Sequence, residues 1–114
     1  MLFGRIGFCG FGNMARAIAL GIYQQGIVKK EAIRVFDIAL APDQVSTQFA
    51  SMGSNGRVAS DSDLVVLAVK PNQVLEVCDE ISDVVAERDE LVILSVAAGV
   101  SISAISSALG KPDA

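Results

Sequence analysis

The stretch RIGFCGFGNMARAIALGI, residues 5–22, holds an apolar run that gives way to Gly10 and Gly12 and then at once to an Ala-rich helical pattern. Residues 3–8 read as a short buried strand. From residue 13 to residue 25, Met14, Ala15, Ile18, Ala19 and Ile22 recur at spacings of three and four, the period of a helix with one apolar stripe. Gly10-x-Gly12-x-x-Ala15 stands where the strand hands over to the helix, and each position has a physical task there. Gly10 permits the tight turn. Gly12 has no Cβ to hold a phosphate away from the backbone, and the small Ala15 lets the helix lie close to the sheet. The N–H groups of Asn13 and Met14 open the helix, where the helix dipole favours an anion.

The rest of the chain repeats the alternation. Residues 32–37 read as a second strand. Pro42 opens a second helix with a stripe of Val45, Phe49 and Met52, ended by Gly53. DLVVLAV, residues 63–69, is a continuous apolar run of the kind found in parallel sheets, and Pro71 stops it. Val74, Leu75, Cys78, Ile81 and Val85 mark a further helix. LVILSVA, residues 91–97, is another strand, and Ser101 caps a last helix over 102–109, ended by Gly110 and Pro112. Residues 53–62 are polar and too few for a full strand and helix. Strands alternating with helices predict a single-domain α/β fold, a Rossmann-like doubly wound sheet, mostly parallel, with right-handed crossovers and helices on both faces.

Composition agrees and excludes several functions. The chain has 114 residues, 52% hydrophobic and 19% charged, enough for one domain with a core and too apolar for disorder. With no His, neither a His metal site nor a His general base is open to it. The net charge is −4 and the nine basic residues are scattered, so neither nucleic acid nor an acidic membrane surface is an expected partner. Cys9 and Cys78 form no CxxC pair. They read as buried thiols of a reduced, cytoplasmic protein. The opening MLFGR shows no secretory h-region, and residues 91–110, though uncharged, carry five serines and suit a buried strand, a loop and a short helix better than a membrane span.

The second strand ends in Asp37. A carboxylate there accepts hydrogen bonds from the adenosine ribose hydroxyls and repels a 2′-phosphate. No Lys or Arg follows in IALAP, so the cofactor, NAD(H) or NADP(H), is expected to be NAD(H) by preference. Ligands of such sheets bind beyond the carboxyl ends of the strands, which brings in AVKPNQ (68–73) and SVAAGVS (95–101). In the first, Pro71 turns the chain off the sheet and Lys70 is placed for a phosphate or ribose. In the second, Ala97, Ala98 and Gly99 are small enough for a flat ring to come close.

IGFCGFGNMARAIALG, LVVLAVKPNQV and LVILSVAAGVS, in this order, resemble the N-terminal domain of the pyrroline-5-carboxylate reductases, over nearly the whole chain. The resemblance implies hydride transfer from NAD(P)H to the C=N carbon of 1-pyrroline-5-carboxylate, giving L-proline. It puts the pyrophosphate on Phe11, Gly12, Asn13 and Met14, and Asp37 at the ribose. Asn55 falls at an adenosine-side polar position. Ala68, Val69, Lys70 and Pro71 fall along the nicotinamide riboside, with Ala97, Ala98 and Gly99 opposite. It names no catalytic residue within the chain. Residues 53–63 are shorter than the family's by about one strand, which predicts an abbreviated third strand or following helix. The family continues into a helical domain for dimerisation and substrate binding. On this reading residues 1–114 are the NAD(P)-binding domain, a second copy associates only where that further domain is supplied, and the chain alone does not turn over. Related first domains occur in deazaflavin-dependent NADP reductases and in prephenate and ketopantoate dehydrogenases, and a non-catalytic dinucleotide-binding or protein-interaction module is the alternative from another class.

Overall fold

The computed structural model describes residues 4–39, 49–88, 90–96 and 99–110. Five strands form one sheet: β1 (Ile6–Cys9), β2 (Ile33–Phe36), β3 (Ala50–Ser51), β4 (Leu64–Leu67) and β5 (Val92–Ser95). Their spatial order is β3-β2-β1-β4-β5, and each of the four pairings is parallel. The order reverses direction at β1, which pairs in register with β2 on one side (Ile6 with Ile33) and with β4 on the other (Ile6 with Leu64). A doubly wound sheet places its ligand crevice at such a reversal. Among the described residues the helices are α1 (Asn13–Gln24), α2 (Asn55–Ser60) and α3 (Val74–Ala86), which run between strands, and α4 (Ile102–Leu109), which follows β5.

Strand alternation divides the core into two layers. Ile6 and Phe8 of β1, Ile33 and Val35 of β2 and Val66 of β4 pack on one face with Ala15 and Ala19 of α1. Cys9, Val65 and Leu67 pack on the other with Val58 of α2, Val77, Cys78 and Ile81 of α3, and Ile105 and Leu109 of α4. The sheet is thus covered on both faces, as the alternating sequence predicts. Ala15 and Ala19 are almost fully buried, so α1 sits on the sheet through its smallest side chains.

The chain departs from the sequence reading in four places. Ala50 and Ser51 form β3 beside Arg34 and Val35, where the apolar spacing predicts the last turn of a helix ending at Gly53. Residues 42–48 of that predicted helix lie outside the described residues, and Phe49, Met52 and Gly53 are not helical. Both elements are abbreviated: β3, just before the short region, has two residues, and α2, within it, has six. On α3 the buried stripe runs through Val74, Val77, Cys78, Ile81 and Val85; four of these were expected, while Leu75 is 46% exposed and Val77 takes its place. Finally, β5 is not a fully buried strand: Val92 and Leu94 are 44% and 50% exposed, because β5 is the outermost strand and α1 covers β1, β2 and β4. Among the described residues no helix is long and apolar enough to cross a membrane. Residues 91–110 there contain a strand and the eight-residue α4, with Ser101 Oγ accepting the Ala104 N–H at 3.0 Å.

Candidate functional site

At the carboxyl end of the sheet, beside the reversal of strand order, lies a cavity of about 370 Å³. Gly10, Gly12, Asp37, Asn55, Ala68, Val69 and Lys70 line it, seven of the residues picked out from the sequence. Phe36, Ile38, Ala39, Gln73, Glu76, Val77 and Glu80 complete the wall. Phe11, Asn13, Met14, Pro71 and Gly99 stand outside the lining. Asn13 and Met14 form the first turn of α1, Pro71 opens a short 3-10 turn at 71–73, and Gly99 is exposed. Ala97 and Ala98 lie outside the described residues.

The two glycines of the turn do different work. Gly10 has φ +94°, and a Cβ there would lie 2.7 Å from the Ala68 carbonyl oxygen. Its hydrogen atom lets the β1 turn pass against the end of β4, and its N–H donates to the Phe36 carbonyl at 2.8 Å. Gly12 has an ordinary backbone, with φ −78°, and nothing lies within 4 Å of the place a Cβ would take. The fold therefore does not need a glycine at 12. That backbone stays bare toward the cavity at the start of α1, a helix with no side-chain cap and no acidic residue in its first turn. Bare backbone before unsatisfied N–H groups suits a phosphate.

Asp37 is a fixed group. Its Oδ2 accepts the Phe11 N–H at 2.8 Å and its Oδ1 accepts the Ala39 N–H at 2.9 Å, so it ties the tip of β2 to the glycine turn. Each carboxylate oxygen keeps a further lone pair for a ligand hydroxyl. The Phe11 N–H is engaged by this bond, and the Phe11 ring is core, edge-on to Phe8 and Phe49 with centroids at 6.1 and 5.8 Å. The family expectation that pyrophosphate rests on the Phe11 N–H does not suit an N–H already donated to a carboxylate. Gly12, Asn13 and Met14 have no such engagement from a cap.

Asn55, also in the cavity wall, is the first residue of α2, anchored by Ser54, whose Oγ accepts the Arg57 N–H at 3.1 Å. Asn55 Nδ2 donates to Glu80 Oε1 at 2.8 Å, while its Oδ1 is buried with no partner among the described residues. Gln73, the residue before α3, and the α3 side chains Glu76 and Glu80 escape the sequence reading. Spacing i, i+3, i+7 from residue 73 places them on one helix face, and that periodicity is the signal that finds them once Lys70-Pro71 is taken as the site's edge. With Asp37 they give the lining three carboxylates against one cation, Lys70.

The floor is dry. Cys9, the last residue of β1, is fully buried, and burial, with smaller contributions from the Glu80 charge and from Cys78, pushes its thiol from 9.0 up to about 12. Burial raises the Cys78 thiol as well. Both cysteines are free, and neither is a nucleophile at neutral pH. Among the described residues no cluster of side chains suits a metal ion.

Residues 5–99 match the family model described as NADP oxidoreductase coenzyme F420-dependent. A pyrroline-5-carboxylate reductase of Pseudomonas aeruginosa is 35% identical over 111 residues, which are 95% of this chain and 40% of that protein. The solved structure of a pyrroline-5-carboxylate reductase from Coxiella burnetii superposes with a TM-score of 0.84 at 34% identity, covering 95% of this chain and 40% of that one. A Plasmodium falciparum pyrroline carboxylate reductase with NADP bound superposes with a TM-score of 0.80 at 28% identity, covering 92% of this chain and 37% of the other. The chain thus spans about 40% of the length of the curated relatives it matches.

Proposed function

From the premise that the chain belongs to the coenzyme F420-dependent NADP oxidoreductase family, we propose that it is the dinucleotide-binding domain of a pyrroline-5-carboxylate reductase. The whole protein would pass a hydride from a reduced nicotinamide to the C=N carbon of 1-pyrroline-5-carboxylate, giving L-proline. The similarity of 111 residues to the Pseudomonas reductase supports that substrate. The small-molecule partner of this domain is the dinucleotide. A second copy is proposed to join through the part of the relatives that this chain does not span. Two free, buried thiols accord with a reducing, cytoplasmic setting.

The observation that carries the reading is the bare Gly12 backbone beside a cavity with Asp37 and Asn55 in its wall. Gly12, Asn13 and Met14 would hold the pyrophosphate, Asp37 the adenosine ribose, and Lys70 and Val69 the nicotinamide side. A bound reduced nicotinamide supplies the hydride; the chain's part is to bind and orient it. Three carboxylates in the wall and one lysine favour NAD(H), since a 2′-phosphate brings further negative charge among them.

Titration with NADH and NADPH, followed by nicotinamide fluorescence, tests this directly. The chain is expected to bind NADH more tightly. Gly12→Val, whose added side chain meets open space in the protein alone, is expected to weaken NADH binding by at least about tenfold. Binding that Gly12→Val leaves intact would remove the phosphate from the glycine turn and end the proposal.

A further inference from the structure

Resting on the reading above, we infer that Asp37 is a positioning residue for the phosphate half of the dinucleotide. By binding the Phe11 N–H it holds the glycine turn in the shape that leaves the Gly12 backbone bare. The turn between β1 and α1 is tied to the end of β2 at two consecutive residues. The Gly10 N–H donates to the Phe36 carbonyl and the Phe11 N–H to Asp37 Oδ2, both at 2.8 Å. Gly10, at φ +94°, makes the turn possible but gives it no stiffness, since glycine visits other conformations about as readily. The Phe11 ring, packed edge-on to Phe8 and Phe49, fixes where that residue lies. The bond to Asp37 fixes how the peptide between Gly10 and Phe11 is turned, and so how the chain enters Gly12 and α1.

The two bonds of Asp37 are not equivalent. The one to Phe11 joins residues 26 apart and is partly buried, whereas the one to Ala39 is local and exposed. An exposed N–H that loses its acceptor turns to water and loses little. A partly buried one stays unsatisfied or draws its peptide toward another acceptor. Removing the carboxylate therefore releases the peptide between Gly10 and Phe11. With it go the N–H groups of Gly12, Asn13 and Met14, which are proposed to hold the pyrophosphate. This role needs no contact between Asp37 and a ligand, and it holds wherever the ribose lies. One carboxylate then serves both halves of the cofactor, and a substitution at 37 cannot exchange one dinucleotide for the other without loosening the phosphate site.

The test uses a ligand that carries the phosphates and lacks the ribose hydroxyls. Dissociation constants for ADP and for 2′,3′-dideoxy-ADP would be measured by calorimetry on the unchanged chain, on Asp37→Asn and on Asp37→Ala, each below its melting temperature. Asn keeps one carbonyl acceptor, which serves the partly buried Phe11 N–H while the Ala39 N–H turns to water; Ala keeps none. Asp37→Ala is expected to weaken dideoxy-ADP binding by about tenfold, and Asp37→Asn by no more than about threefold. Dideoxy-ADP binding that Asp37→Ala leaves unmoved or improves would confine Asp37 to the ribose and overturn the inference. Equal losses in the two variants would assign the effect to charge and overturn it as well. Amide hydrogen exchange on the unchanged, ligand-free chain needs no variant to fold. There the Phe11 N–H is expected to exchange at least about tenfold more slowly than an open amide, and unprotected exchange would overturn the inference. If the unchanged chain bound neither NADH nor ADP, the proposed function would fall and this inference with it; NADH binding alongside dideoxy-ADP binding that Asp37→Ala does not weaken refutes the inference alone.

Discussion

At the amino end of the sheet, Asp61 reaches Arg5 Nη1 at 2.9 Å and Arg34 Nε at 3.1 Å, so one carboxylate spans β2 and the entry to β1. Asp63 accepts the N–H groups of Gly4 and Arg5 at 3.1 and 2.9 Å. Arg88, following α3, donates to the carbonyls of Ala59, Ser60 and Ser62 where α2 ends. At the carboxyl end the polar groups are arranged the other way. The α1 N-terminus has no cap, Asn55 Oδ1 has no partner, and the Gly12 backbone meets empty space. Charge closes one end of the sheet and is left available at the other, and the difference separates residues kept for the fold from residues kept for a ligand.

The largest break in that comparison is Gly10, which belongs to the open end by position and to the fold by function. Gly10→Val sets a β-branched residue at φ +94° with its Cβ against the Ala68 carbonyl, and is expected to destabilise the chain by about 3 kcal/mol or more in denaturant unfolding. At the closed end, Arg88→Ala leaves the carbonyls of Ala59 and Ser62 without their charged donor, with an expected loss of about 2 kcal/mol in the same measurement. Alkaline titration probes the buried thiol of Cys9 in the core. The Cys9 thiol is held neutral in the fold up to about 12 against 9.0 when unfolded, so the unfolded chain binds fewer protons across that interval. The contribution of Cys9 is whole below pH 9 and is lost as pH rises toward 12, at no more than about 1.4 kcal/mol per pH unit. The difference in pH dependence between the unchanged chain and Cys9→Ala isolates it. Least of all is the effect of Gly12→Val on stability, expected within about 0.5 kcal/mol, because a Cβ there meets nothing within 4 Å. A large loss there would erase the distinction between the two glycines.

Local pattern carried most of this architecture. Apolar runs and helical spacing located β1, β2, β4, β5 and all of α1, α3 and α4 to within a few residues, since each is a regular element with a buried stripe. Ala50 and Ser51 escaped because two residues show no period. They become a strand through pairing with Arg34 and Val35, a tertiary fact. The exposure of Val92 and Leu94 escaped for a related reason: an apolar run says that a strand is buried somewhere, not that it lies at a sheet edge. In the site, Gly10, Gly12 and Asp37 were legible from their place at strand ends. Glu80 was not. It is an ordinary helix-surface acid until Asn55, twenty-five residues earlier, is folded against it.

The central position of β1 also bears on how the molecule is made. β1 is flanked by β2 and β4, with Ile6 beside both Ile33 and Leu64. On a ribosome, the first strand of the sheet emerges early and stays half-paired until Leu64–Leu67 has followed it out of the exit tunnel. Ile6, Phe8 and Cys9, all buried in the finished sheet, are without one neighbouring strand for that interval.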